Sequence, residues 1–342
     1  MKPFLKMTCA LVWLIAYTPS AAAPSLKPLP AKNNSVTQIG EIRLRSWELI
    51  LALAWSPDGK TLAVAAGNRV YLYDSGSLKE TGLQETGAWT NDLSFRKGGR
   101  MPLLALATKN GDVQLWNPDT QEQICKFPAH RTGARSVAFD PAGDRLASSG
   151  MDAQVRIWDL KPLTQGSCKL PVTAEMIGGS FNVQGVLISP DGSTVLSIDM
   201  DKVRLREFES QRLIRTLDAG APIFDMALSP DGKVLATGEA KRVIQLWDIQ
   251  SGAEASRWTP AAAPQSGAAG FMWSVAFSPD GKLLAGGCSD HQIYIWKTGD
   301  PAESDVLKGH SQAVTSLAFS PGGGILASGS LDGTVKLWKI NG

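Results

Sequence analysis

Residues 309–338 read GHSQAVTSLAFSPGGGILASGSLDGTVKLW. Three short apolar runs, at 317–319, 325–327 and 335–338, are separated by Ser320-Pro321-Gly322-Gly323 and by Leu331-Asp332-Gly333. Short apolar runs punctuated by Gly, Pro and Asp predict strands joined by tight turns. A sheet of three short strands cannot cover both of its faces alone. It requires neighbours of the same kind.

The rest of the chain supplies them. The Ser-Pro-x-Gly turn recurs at 56–59, 189–192, 229–232 and 278–281, with a variant at 140–143 and a degenerate form at 96–99. The closing glycines fall at 59, 99, 143, 192, 232, 281 and 323, which are 40, 44, 49, 40, 49 and 42 residues apart. A period of this size with strand-like units predicts propeller blades. No 3.6-residue apolar spacing supports a helical repeat. A second marker follows each turn: Tyr73-Asp74, Trp116-Asn117, Trp158-Asp159, Trp247-Asp248, Trp296-Lys297 and Trp338-Lys339, with Arg206-Glu207 in the fourth slot.

In these turns and dipeptides the chain resembles the WD-repeat β-propeller family over residues 37–342. The resemblance implies an all-β fold, a seven-bladed β-propeller in a single domain. The last repeat stops four residues after Trp338, whereas 39–45 is strand-like and has no repeat turn of its own. The N-terminal strand is therefore expected to complete the last blade, since an open ring would leave two unpaired sheet edges.

Residues 1–22 have the layout of a secretory signal peptide: Lys2 and Lys6, an apolar run over 7–17, then Ser20-Ala21-Ala22. The run is short for a membrane span of about 20 residues, although an uncleaved anchor is the rival reading. Cleavage is expected after Ala22, giving an exported protein, periplasmic or secreted, with a disordered lead-in over 23–36 and no membrane span. The formal charge of +2 falls to zero once Lys2 and Lys6 leave, because they are the only charged residues of that segment. A neutral chain is a poor partner for nucleic acid.

The resemblance also implies hydrogen-bonded structural sets inside blades. Asp152, His130, Ser148 and Trp158 match in the third repeat, and Asp332, His310, Ser328 and Trp338 in the seventh. A buried Asp requires a partner, and a His ring can donate to it while accepting from a hydroxyl. The sets are eroded elsewhere: Gly286 stands where Ser belongs, and Ala268 where His belongs. Blades three and seven are expected to be the stiffest and blade four the weakest.

No motif for a metal, a phosphate loop or a nucleophile elbow is present, and the third histidine, His291, sits in a turn. No catalytic residue, metal or cofactor is expected. Cys125, Cys168 and Cys288 remain after signal removal. Cys125 and Cys168 occupy matching places in the outer strands of neighbouring blades. Such strands splay, so no disulfide is expected.

Family members often take partners on the narrow face, at the starts of the innermost strands and just before the turn Asp. Trp89, Arg135, Met151, Phe224, Phe271, Trp273 and Leu331 are the partner-binding candidates there, with Met200 a looser match. Apolar, aromatic and Arg side chains of this kind are enriched at interfaces. The alternative is that several turn inward and fill the channel mouth. The resulting expectation is a monomeric, non-catalytic scaffold that binds a protein or peptide. A second reading is a propeller that binds a small ligand or carbohydrate, or acts as an enzyme, in its central pocket, using Trp89, Asn91, Asn182 and Gln184.

Overall fold

A computed structural model describes residues 36–341, apart from 45–47, 100, 178, 180–181 and 261–269. The expected signal peptide and the lead-in up to residue 35 lie outside the described residues. Seven four-stranded antiparallel sheets stand in a ring. Their innermost strands are Ile50–Trp55, Thr90–Phe95, Ala134–Phe139, Val183–Ile188, Ile223–Leu228, Met272–Phe277 and Val314–Phe319, which define blades one to seven. Each packs on the innermost strand of the next blade, and the seventh packs on the first. Among the described residues one 3-10 turn, Lys161–Gln165, interrupts the strands.

The outermost strand of blade seven is Val36–Arg43, antiparallel to Thr334–Ile340 from Val36 opposite Ile340 to Arg43 opposite Thr334. The ring closes as the sequence predicts. The strand starts at Val36, one residue inside the expected lead-in, and its slip in register leaves Ile39 on the surface.

The Ser-Pro-x-Gly motif follows from turn chemistry. In blade one, Ser56 Oγ donates to Asp58 and accepts from the backbone N–H of Thr61, while the N–H of Gly59 donates to the Ser56 carbonyl. The closing glycines have φ between +70° and +92°. That region suits glycine best because it has no Cβ. Second strands such as Thr61–Ala66 and Leu104–Thr108 are buried nearly throughout. Each lies between two neighbouring blades, so it reads as a continuous apolar run rather than an alternation.

A polar girdle runs round the channel on the innermost strands. Seven equivalent backbone N–H groups point across blade junctions, and five side chains satisfy them all. Ser316 accepts from Leu53, Ser136 from Val186, and Ser274 from Leu317, at 3.0, 3.3 and 3.1 Å. Asp92 accepts from Leu93 and Val137, and Asp225 from Met226 and Val275, at 2.8–3.0 Å. The blades preceding these two aspartates carry Ala52 and Gly185 at the same place, where no side-chain oxygen is available. Each Asp therefore covers its own junction and the next. Burial raises the pKa of Asp92, and it pushes Asp225 up to about 7, against the pull of its N–H donors and Ser274 and with a further rise from the charge of Asp92.

The cysteine expectation is corrected. Cys125 and Cys168 form a disulfide, with Cα atoms 5.5 Å apart. Cys125 lies in the outer strand Glu122–Pro128, but Cys168 precedes the strand Val172–Ile177. It sits in the linker that follows the 3-10 turn, and this linker leans onto blade two, where Leu163 and Leu170 pack beside Cys125. The splay of the outer strands does not apply to it. Cys288 is buried and free.

Two outcomes follow. Cys168→Ser should lower the unfolding free energy by up to about 4 kcal/mol, the chain-entropy value for a loop of this length, read by urea denaturation without reductant. Equal stability would show that the crosslink constrains nothing. For Asp225, an unfolded chain releases the proton near pH ~4 and the ring near pH 7. Its contribution is therefore complete below pH ~4 and declines as pH rises towards 7. Asp225→Asn should flatten the stability–pH curve in that window by up to about 1.4 kcal/mol per pH unit. An unchanged slope would count against a protonated girdle.

Candidate protein-binding face

Each innermost strand has a bulge near its start. Its register against the second strand slips between Thr90 and Asp92, Ala134 and Ser136, Ile223 and Asp225, and Met272 and Ser274, with equivalents in the other three blades. A bulge leaves a residue unpaired and re-aims its side chain. The unpaired positions include Asn91, Arg135, Phe224 and Trp273. The turns between second and third strands are latched to the same end of the ring. The N–H groups of Lys109, Met151, Ser289 and Leu331 donate to the carbonyls of Trp89, Gly133, Phe271 and Ala313 at 2.7–3.0 Å. The two sets of candidate positions thus share one face.

Three aromatic candidates come together. The ring centroid of Phe224 lies 5.2 Å from that of Phe271 and 4.9 Å from that of Trp273, and Phe271 lies 5.8 Å from Trp273. The cluster bridges blades five and six. Trp273 is 37% exposed, while Phe224 and Phe271 are half-buried. Tilted and edge-on pairs are favoured ring geometries. Trp89 makes no ring contact with this cluster among the described residues. It forms a second patch on blade two, also 37% exposed, with the Lys109 ammonium 5.3 Å above its ring. Met200 is 47% exposed. Arg135, Met151 and Leu331 are half-buried, and a Cβ on Gly133 would stand 3.1 Å from the Met151 sulfur. Asn91 donates its side-chain amide to the Ala134 carbonyl at 2.7 Å, which commits it within the ring.

The blade-pinning residues have the following geometry. In blade three, His130 Nδ1 lies 2.8 Å from Asp152 and Nε2 2.9 Å from Ser148 Oγ, which also accepts from Trp158 at 2.9 Å. In blade seven the distances are 3.0 Å for His310 to Asp332, 2.8 Å for His310 to Ser328 and 2.9 Å for Trp338 to Ser328. Burial lowers the His130 pKa against the pull of Asp152. Burial also raises that of Asp332, but the bonds from His310, Thr334 and the Ser311 N–H outweigh it and hold the carboxyl below the usual range. His291 is exposed in its turn with φ 72°.

Blades without a histidine solve the same packing problem differently. The histidine position faces the last residue of the second strand, and the two positions trade volume. A Cβ on Gly150 would stand 2.4 Å from the His130 ring. In blade four the roles reverse: a Cβ on Gly179 would stand 2.4 Å from Asp199, which is paired with Arg204 at 2.8 Å. Blade five has Ala219 opposite the fully buried Glu239, whose pKa burial pushes up to about 7. Blade six borrows Arg242 from blade five. Its guanidinium lies 3.0 Å from Asp290, which also accepts from Tyr294 at 2.8 Å. Gly286 leaves room there for Met272 and Trp296. Ala268 lies outside the described residues. Asp199, Glu239 and Arg242 escaped motif reading. The signal for the two acids was an acidic residue ending the second strand in two of the repeats that lack His, the fourth and the fifth.

A groove of about 510 Å³ between blades five and six, at the opposite end of the ring, is lined by Pro230, Leu246, Trp258 and Phe277. Among the described residues no group of three or more His, Cys, Asp or Glu gathers as a metal site. No helix among them is long and apolar enough to cross a membrane.

The model for "WD domain, G-beta repeat" matches residues 42–74, 121–159, 211–248, 265–297 and 302–339, more than half of the chain. Most of these stretches begin in or beside the outer strand of one blade and end in the third strand of the next. Human WD repeat-containing protein 46 is 31% identical over 139 residues, 40% of this chain and 22% of that protein. WD repeat-containing protein VIP3 of Arabidopsis thaliana is 29% identical over 164 residues, 44% of this chain and 50% of that protein. Human apoptotic protease-activating factor 1 is 29% identical over 124 residues, 35% of this chain and 10% of that protein. The chain thus spans half or less of the length of these relatives. WD-repeat propellers generally act as non-catalytic scaffolds that bind proteins. Seven closed blades, the turn motif and these matches together show that the chain belongs to the WD-repeat family.

Proposed function

We propose that this propeller is a non-catalytic, monomeric platform of an exported compartment, and that it takes a protein or peptide on the face where its innermost strands begin. The observation that carries the reading is the partly exposed cluster of Phe224, Phe271 and Trp273, joined across two blades at the channel mouth. Aromatic side chains on a rigid rim offer large contact area with little ordering cost. Arg135, Met151 and Leu331 extend this rim. The central-pocket reading has less support, since Asn91 is committed to Ala134 and the girdle occupies Asp92 and Asp225.

Export is supported by the N-terminal layout and by the disulfide, because such bonds persist in oxidising compartments. The protein recovered from an exported fraction should begin at Ala23, and denatured without reductant it should bind a single alkylating group, at Cys288. An intact N-terminus at Met1 with all thiols reactive would place it elsewhere.

The platform reading is tested by affinity capture from the same fraction. Wild type and a Phe271→Ala/Trp273→Ala variant of equal melting temperature should differ, the variant losing a defined partner by at least roughly tenfold, the scale of an interface hot spot. Equal capture would move the interface off this face.

A further inference from the structure

The charges around the aromatic cluster say what kind of segment it suits. In the turns that share this face, each acid is engaged by a group of the ring. Asp152 is paired with Arg156 at 2.8 Å and Asp290 with Arg242 at 3.0 Å, Asp201 shares Lys202 with Asp218, and Asp332 is hydrogen-bonded to His310 at 3.0 Å. Glu48, in the loop before blade one, is paired with Arg69 at 2.8 Å. The exposed bases of the same turns and loops differ. Lys109, Arg131 and Lys241 have no ion-pair partner among the described residues, and all three are exposed.

Their placement repeats one pattern on opposite arcs of the ring. On blade two, Lys109 lies over Trp89. On blades five and six, Lys241 follows Ala240, whose backbone bridges to Phe271 of the aromatic cluster. Each arc thus offers an apolar ring surface near an exposed lysine that has no ion-pair partner among the described residues, with Arg131 between them on the rim. The acids of the Ser-Pro-x-Gly turns, Asp58, Asp191, Asp231 and Asp280, lie at the opposite end of the ring. The aromatic face thus carries exposed bases without an ion pair among the described residues close to its rings, although the ring as a whole is near neutral.

We infer that the partner segment is an extended acidic peptide with apolar anchors, laid across the channel mouth from Trp89 and Lys109 to Phe271, Trp273 and Lys241. This inference rests on the platform reading above. Anchors supply the burial, and the unpaired bases steer an anionic chain and reject a basic one. Nucleic acid fits less well, because three separated bases do not form the continuous cationic track that follows a phosphate backbone.

The test is a random-peptide display library panned on the full-length protein. Selected peptides are then measured by fluorescence anisotropy against wild type, Lys109→Glu/Arg131→Glu/Lys241→Glu and Phe271→Ala/Trp273→Ala. The substituted bases are exposed, so folding should persist, and circular dichroism checks it. The expected result is enrichment of Asp and Glu around an aromatic or aliphatic residue. Binding should weaken roughly tenfold in the charge variant and at raised salt, and be lost in the aromatic variant. Neutral or basic peptides that need the aromatics but ignore the charge variant would overturn the inference and leave the platform standing. Peptides indifferent to both variants, or no selected peptide at all, would overturn both. Tight binding of an oligothymidylate probe that the charge variant abolishes, with no acidic peptide selected, would replace the peptide with a nucleic acid.

Discussion

The fold depends on one antiparallel pairing, that of Val36–Arg43 with Thr334–Ile340. It joins parts of the chain about 300 residues apart in sequence and removes the free edge that blade seven would otherwise present. Ile42, Val335 and Leu337 are buried in a cluster with Leu53, Leu62 and Val64 of blade one, so the same pairing completes the seam between last and first blades. Side chains reinforce the seam. Trp55 donates to the Ala318 carbonyl at 3.0 Å, Thr315 donates to the Ile50 carbonyl at 2.6 Å, and Ser316 accepts from Leu53. With the circle closed, every innermost strand has two neighbours, and the rim becomes a fixed surface.

Inside the ring, repeated geometry meets unrepeated sequence. The girdle needs an oxygen at each of seven junctions, and Ala52 and Gly185 provide none. Asp92 and Asp225 each accept two N–H groups where Ser136, Ser274 and Ser316 accept one. A carboxylate has two oxygens, which is why these positions take Asp. Each carboxyl then sits among protein groups with no base beside it, and burial raises its pKa. The blade sets show the same economy. His130 fits over Gly150, whereas Asp199 fits over Gly179, because one cavity accepts a large side chain from either wall but not from both.

The face at the start of the innermost strands is shaped by these internal demands. Bulges free Phe224 and Trp273 from pairing, and the acids of the neighbouring turns are spent on holding blades together. Exposed lysines beside exposed aromatics are what remains. The surface proposed for binding is made of residues that the ring does not need for its own stability.

Seven turns in register, the markers from Tyr73 to Trp338 and the orphan strand near Ile42 made the seven-bladed, strand-closed ring legible in the sequence, because turn glycines and apolar runs are local signals. The placement of Phe224, Phe271 and Trp273 at the starts of innermost strands was legible too, since alignment on the turns puts them there. The sequence could not give the contact of Phe224 with both, because the spacing between blades five and six lies in no single repeat. It also could not give the Cys125–Cys168 bond: matching strand positions argued against it, and only the path of the linker over blade two brings the sulfurs together. The shared carboxylates Asp92 and Asp225, the substitutes Asp199 and Glu239, and the borrowed Arg242 were likewise settled by tertiary structure. Each answers a vacancy in a neighbouring strand or blade, and a vacancy exists only once the chain has closed on itself.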